Sequence, residues 1–266
     1  MAAVQMQEQR QFTARLRAGE SLFGTFVKMP TYHATEILAS AGYDFIVIDE
    51  EHAPINRESI DAIILAARAR GVAPLVRIGE PTDFNIMAQL DAGAAGVFVP
   101  HVNSVEKASR IAAACRYAGG RRGFSKTGRA GDYGAADTDA HLAHQDVHTL
   151  CIPMIEDPEA IDVIDEIVAV EGVAALFVGR GDLSVAMGER SQTAKPVLEA
   201  TDKVIAAARN AGKPVLMLAA GEEDQAALMR AGVRTFLTGS DQAFLRRAAA
   251  SALGTCRAVA ARSISS

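Results

Sequence analysis

Asp49, Glu50, Glu51 and His52 place three carboxylates and an imidazole in four consecutive positions, directly after the apolar run Phe45-Ile46-Val47-Ile48 and just before Pro54. Unpaired charge cannot sit inside a sheet without a cost of about several kcal/mol, so the cluster must lie where a strand emerges. An imidazole titrates near neutral pH and suits proton transfer, although a histidine beside two glutamates is more often structural. Three further strand ends carry groups of the same kind. Arg77 interrupts the apolar Leu75-Val76-Arg77-Ile78, where a guanidinium needs an anionic partner, either a bound oxyanion or an internal group such as Glu51. Glu156-Asp157 follows Leu150–Ile155, and Gly179-Arg180-Gly181-Asp182 follows Ala174–Val178. Glu156 and Asp182 form a hard oxygen pair suited to Mg2+ or Mn2+; the plain alternative is that each carboxylate caps the helix after it, as Asp157 is expected to do. The glycines of the 179–182 turn expose backbone N–H groups able to hold a substrate carboxylate. His101, after Val99-Pro100, is a second imidazole candidate, whereas His33, His141, His144 and His148 read as surface residues.

The elements that must position these groups follow a regular alternation. Short apolar strands are expected at Leu22–Val27, Phe45–Ile48, Pro74–Ile78, Gly96–Pro100, Leu150–Ile155, Ala174–Val178, Pro214–Leu218 and Arg234–Thr238. Helices are expected between them: Thr35–Ala41, Asn56 or Arg57 to Arg70, Asp83–Asp91, Ser104 to Tyr117, one opened by Asp157-Pro158, about Pro196–Ala211 and Glu222–Ala231. A polar helix over residues 1–20 precedes them and an alanine-rich one from Asp241 to about Ala260 closes the chain. The spacing leaves no room for a linker, so residues 1–266 read as one α/β domain, a single (β/α)8 TIM barrel. An open doubly wound sheet would carry a glycine-rich turn after its first strand, and Val27-Lys28-Met29-Pro30 is not one. Barrel closure gathers the polar strand ends at one mouth. One segment, 119–134, is rich in glycine and arginine and reads equally as a mobile surface excursion or a substrate lid.

The chain is 266 residues long, 49% hydrophobic and 22% charged, with a formal net charge of −5. Nothing suggests a nucleic-acid surface; Arg121-Arg122 and Arg246-Arg247 read as solvated or salt-bridged faces. Cys115, Cys151 and Cys256 form no disulfide or thiolate-metal pattern and fit reduced thiols in a cytoplasm. No membrane span or targeting segment is evident. A Schiff-base mechanism needs a lysine projecting into the barrel. Lys28 is the one strand-end lysine, so an imine is disfavoured and metal-assisted enolisation preferred.

Taken together, Asp49-Glu50-Glu51-His52-Ala53-Pro54, Val76-Arg77, Leu90-Asp91-Ala92-Gly93-Ala94, Val99-Pro100, Arg116-Tyr117 with Arg122-Gly123, Ile155-Glu156 and Gly179-Arg180-Gly181-Asp182-Leu183-Ser184 resemble class II pyruvate aldolases. These are the 4-hydroxy-2-oxoheptanedioate and 2-dehydro-3-deoxyglucarate aldolases of aromatic and sugar-acid catabolism. The resemblance runs from about Phe12 to the last helix. It implies cleavage of a 4-hydroxy-2-oxo acid to pyruvate and an aldehyde through a metal-stabilised enolate, with Mg2+, Mn2+ or Co2+ held by Glu156 and Asp182. It further implies that Arg77 steadies the C2 oxygen and that His52 transfers protons, paired with Asp91 of a neighbouring subunit. Asp49 and Glu51 would support them, and N–H groups of Gly181 and Asp182 would take the pyruvate carboxylate. A homohexamer, a dimer of trimers in which the C-terminal helix packs on a neighbour, is implied as well. Two departures bear on the aldehyde acceptor: Met154 stands where well-studied members have Gln, and Arg116-Tyr117-Ala118-Gly119-Gly120-Arg121 stands where they have Arg-Tyr-Pro-Pro and a longer spacer. The rival readings are a CoA-thioester lyase of the citrate lyase β or malyl-CoA lyase type and a non-catalytic barrel that binds a 2-oxo acid.

Overall fold

The computed structural model describes residues 2–264, and side chains over 9–263; residue 1 and residues 265–266, part of the expected domain, lie outside the described residues. The chain runs α1 (Ala2–Arg17), β1 (Leu22–Val27), α2 (Tyr32–Ser40), β2 (Phe45–Asp49), α3 (Arg57–Ala69), β3 (Ala73–Arg77), α4 (Asp83–Asp91), β4 (Gly96–Val99) and α5 (Val105–Ala114). A 3-10 turn (Arg129–Gly134) follows, then α6 (Thr138–His148), β5 (Leu150–Ile155), α7 (Pro158–Asp162), α8 (Ile164–Ala169), β6 (Leu176–Val178), α9 (Arg180–Ala186), α10 (Lys195–Asn210), β7 (Val215–Leu218), α11 (Glu222–Ala231), β8 (Thr235–Ser240) and α12 (Asp241–Ile264). The eight strands are parallel and close in sequence order, β8 pairing with β1. This is the expected (β/α)8 barrel with an added C-terminal helix.

The strands are apolar throughout because both faces are covered. Inward residues, among them Phe45, Val47, Leu75, Phe98, Ile152, Phe177 and Leu216, fill the barrel, and Phe12 and Leu16 of α1 plug its floor. Gly24 leaves the space that the Phe45 ring occupies: a Cβ there would fall 2.3 Å from it. Outward residues such as Ile46, Ile48, Val76 and Val97 pack against the helices, including Ile60, Ile63, Ile64 and Ala67 on one stripe of α3. Helix starts follow cap chemistry: the side chains of Thr31, Asn56, Thr82 and Ser104 accept N–H bonds from the first turns of α2, α3, α4 and α5. The cap at Thr31 is why α2 begins before the expected Thr35.

Four elements depart from expectation. The helix after Ser104 stops at Ala114 rather than Tyr117, because Tyr117 and Ala118 donate backbone N–H to Asp146 of α6. Segment 119–134 is no loose excursion: Arg129 bonds Asp61 and the Ala92 carbonyl, tying it to α3 and α4. Helices α6 and α9 were not foreseen. Along α12, Leu245, Leu253 and Val259 are half or more exposed.

Candidate active site

Asp49 and Arg77 end β2 and β3 and are register partners across them. Arg77 donates from Nε to Asp49 Oδ1 (2.9 Å) and from Nη2 to Oδ2 (2.6 Å), a bidentate pair of two buried side chains. Its Nη1 lies 3.2 Å from Glu51 Oε2, and its guanidinium stacks on Phe26, 4.9 Å from the ring centre. Asp49 also takes the Lys28 ammonium at 3.0 Å and the His52 backbone N–H at 3.1 Å. Burial alone would raise the Asp49 carboxyl, but Arg77, His52 and Lys28 together hold it below the usual range. His52 is exposed at the rim, its Nε2 3.7 Å from Glu51 Oε2. Glu50 turns away to Gly79 N–H and Gln89, and burial pushes its carboxyl up.

Across the mouth the balance is reversed. Glu156, one residue past β5, is 1% exposed. Its Oε1 accepts the His101 backbone N–H at 2.7 Å, while Oε2 has no hydrogen-bond partner. Gly179 permits this: a Cβ at that position would fall 2.5 Å from Oε2. His101 adopts φ +55°, an uncommon left-handed conformation, and its N–H meets Glu156. Burial raises the Glu156 carboxyl to about 7; the His101 N–H and ring oppose the rise, and the charges of Asp182 and Glu51 add to it. His101 Nδ1 lies 3.7 Å from Oε1, but a buried carboxylate with its other oxygen unpartnered, and a second carboxylate close enough to perturb it, is the electrostatic form of a cation site. Among the described residues no group of three or more His, Cys, Asp or Glu is poised around one point. A cation would therefore draw on these two carboxylates, substrate and water, a donor set that fits a hard divalent ion. Asp157 begins α7 without capping it; its carboxylate lies 3.1 Å from His101 Nδ1 instead. Asp157 and Glu156 raise the His101 imidazole against the lowering by burial.

Between the two sides lies a hollow of about 400 Å3 lined by Phe26, Lys28, His52, Arg77, Met154, Phe177, Gly181, Asp182 and Gln192, among others. Sequence reading missed Arg180, 2% exposed and bonded bidentately to Asp224 of α11 at 2.9 and 2.5 Å. This bond holds the Asp224 carboxyl down and ties the start of α9, with Gly181 and Asp182, to the neighbouring unit. A lone arginine directly after an apolar strand was the available signal. Lys28 was set aside as a nucleophile, and its ammonium is ion-paired with Asp49 in this hollow. No residue of segment 119–134 lines it.

Other expectations fall elsewhere. Asp91 sits at the far end of α4, bonded to Arg122 at 2.8 Å, and one chain does not bring it to His52. Of the two readings of Arg121-Arg122 the salt-bridged one holds: Arg121 pairs with Asp83 at 3.2 Å and Arg122 with Asp91, the latter arginine 6% exposed, 4.5 Å over the Tyr117 ring and bonded to Gln145. His141 is buried, with Nε2 3.3 Å from the Tyr117 hydroxyl, and His144 and His148 are half-buried, their rings tilted at 42° with centres 4.7 Å apart. These histidines face α1 and the 3-10 turn, not solvent, because α6 packs there. Cys115 and Cys151 are buried thiols and Cys256 is exposed.

A family model described as HpcH/HpaI aldolase/citrate lyase matches residues 22–248. The chain belongs to this family. A hydroxypyruvate/pyruvate aldolase of Roseobacter denitrificans is 33% identical over 254 residues, 94% of this chain and 96% of that protein. A 5-keto-4-deoxy-D-glucarate aldolase of Salmonella paratyphi A is 32% identical over 232 residues, 86% and 90% of the two chains. Among solved structures, citrate synthase SbnG superposes with a TM-score of 0.84 and 32% identity, covering 92% of this chain and 96% of that one. The HpcH/HpaI chain described here is an enzyme, a carbon–carbon lyase, as the residue pattern implied. HpcH/HpaI aldolases depend in general on a divalent cation. No described helix is long and apolar enough to cross a membrane.

Proposed function

We propose that this chain is a class II aldolase that reversibly cleaves a 4-hydroxy-2-oxo acid to pyruvate and an aldehyde, with residues 1–266 acting as one catalytic domain. The observation that carries the reading is the buried, partnerless Oε2 of Glu156 in a carboxyl that the charge of Asp182 perturbs, with Asp182 and Arg77 lining one hollow. When bound, a divalent cation (Mg2+, Mn2+ or Co2+) held by Glu156 and Asp182 supplies Lewis acidity that polarises the 2-oxo group.

The protein groups do the rest. The N–H groups of Gly181 and Asp182, in the first turn of α9 where no intrahelical acceptor exists, receive the substrate carboxylate. Arg77, fixed by Asp49 and Glu51, keeps N–H bonds on its terminal nitrogens for the C2 oxygen. His52, oriented by Glu51, takes the proton from the C4 hydroxyl. The C3–C4 bond then breaks, its electron pair moves to the C2 oxygen as an enolate, and the aldehyde leaves. Protonation at C3 gives pyruvate. Arg77 is worth about 3 kcal/mol to the enolate, by analogy with a single oxyanion donor. Lys28, ion-paired with Asp49, is a charge in the wall and not a nucleophile.

In the assembly we assign, a homohexamer built as a dimer of trimers, Asp91 of a neighbouring subunit pairs with His52 and the exposed apolar face of α12 is buried on another copy. The enzyme acts in the cytoplasm. The test is direct: a chelator abolishes pyruvate release, Mg2+, Mn2+ or Co2+ restores it, and borohydride with pyruvate traps nothing. Covalent trapping on Lys28 overturns the mechanism. Measurable pyruvate binding without methyl-proton exchange in D2O favours the non-catalytic binder. The family description, which names citrate lyase beside the aldolases, keeps one second reading, the CoA-thioester lyase of the citrate lyase β type; turnover of a CoA thioester, and none of a 4-hydroxy-2-oxo acid, selects it.

A further inference from the structure

The floor of the barrel, opposite the mouth, carries a second hollow of about 250 Å3. It opens where α1 leads into β1, α10 into β7 and α11 into β8. Arg17, Arg209, Lys213 and Arg234 line it, and no aspartate or glutamate does, in a chain whose formal net charge is −5. None of the four forms an ion pair among the described residues. Three are held by neutral carbonyls instead. Arg17 donates to Val147 O (2.8 Å), Lys213 Nζ to Val170 O (3.1 Å), and Arg234 Nη1 to the Met229 and Val233 carbonyls (2.6 and 2.9 Å). Carbonyls aim a cation without cancelling its charge. Burial lowers the Lys213 ammonium.

Thr235 is the independent observation. It is 2% exposed and, two residues before Leu237 of the barrel interior, points to the same inward face. Its hydroxyl makes no hydrogen bond among the described residues, although it lines this hollow. A hydroxyl that lines the hollow can donate to an occupant, and a bound oxyanion is the acceptor that also answers the four cations. Leu16, Ile205 and Val215 supply apolar wall beside them.

We propose that this floor hollow binds a small organic anion, with carboxylate or phosphate oxygens among the cations and the Thr235 hydroxyl and an apolar body against Leu16 and Val215. The site is at the opposite end of the barrel from the aldolase mouth and does not depend on the reaction assigned there. Isothermal titration of the full chain with benzoate and with phenyl phosphate, at fixed ionic strength, tests it, with benzyl alcohol as the uncharged match. At least one anion is expected to bind saturably and the alcohol not to; which anion binds separates carboxylate from phosphate. Arg209→Glu and Thr235→Val are each expected to weaken that binding by about tenfold or more, leaving kcat unchanged. Arg209 makes no side-chain bond within the described residues and Thr235→Val keeps the shape, so both variants are expected to fold. Anions that bind no better than benzyl alcohol, or an affinity that neither variant changes, overturn the proposal.

Discussion

The two sides of the barrel mouth solve the same problem in opposite ways. On the β2–β3 side, Asp49, Glu51, Lys28 and Arg77 neutralise one another within hydrogen-bond or ion-pair distance. On the β5–β6 side, Glu156 is as deeply buried as Asp49 yet has an oxygen without a partner. The carboxyls respond accordingly: Asp49 is held below the ordinary range, and Glu156 is pushed up to about 7. The paired side is a rigid instrument that needs nothing added. The other side is incomplete as a piece of folded protein, and a charge that arrives from solution completes it. Buried charge that is left uncompensated is therefore a better pointer to a binding site than buried charge as such.

That contrast can be broken by mutation. Glu156→Gln is expected to lower kcat by about a thousandfold, equivalent to about 4 kcal/mol, while the thermal midpoint measured without metal stays level or rises, since a buried unpaired acid is removed. A fall in midpoint would mean Glu156 is structural. Asp49→Asn is expected to do the reverse in kind: it leaves Arg77 short of its main partner, with a stability loss of about 3 kcal/mol in urea unfolding, and activity falls with it. Stability unchanged in Asp49→Asn would erase the difference between the sides. Arg77→Lys retains a charge but not the fork that grips Asp49 and Glu51. A hundredfold loss in kcat, or about 2.7 kcal/mol, is expected for this variant, with chelator-sensitive metal binding retained as read by calorimetry.

The smallest effect is a control away from the mouth. Burial, then the neighbouring His148 and His141, lowers His144 to about 4. The folded state thus binds fewer protons than the unfolded chain between pH 4 and the ordinary value of about 6.5. Its contribution is present in full above that value and is lost as pH falls toward 4. Screening at this half-buried site leaves about 1 kcal/mol between pH 7 and pH 5. Urea midpoints should show that slope in the parent and a flatter one in His144→Gln.

The strands were legible because a parallel barrel covers both of their faces and forces unbroken apolar runs such as Phe45–Ile48 and Leu150–Ile155. The helices that were missed are those where this pressure is weak. In α6, Thr138–His148, polar residues and histidines hide the buried face, and α9 is seven residues long. Site residues could be chosen from sequence wherever a charge follows an apolar run, which is how Asp49, Arg77, Glu156 and Asp182 stood out. Their partners could not. Asp157 was expected to cap its own helix and instead meets His101, whose backbone turns to a positive φ that sequence does not announce. Asp224, which anchors Arg180, lies 44 residues away in sequence.

By itself, then, the sequence determined the order and type of the elements, the closure they imply and the set of charged residues delivered to one rim, because burial pattern and strand-end chemistry are local properties. Tertiary structure alone decided which of those charges are answered. Pairing depends on distances across neighbouring strands, and these leave Asp49 bound on both oxygens and Glu156 on one.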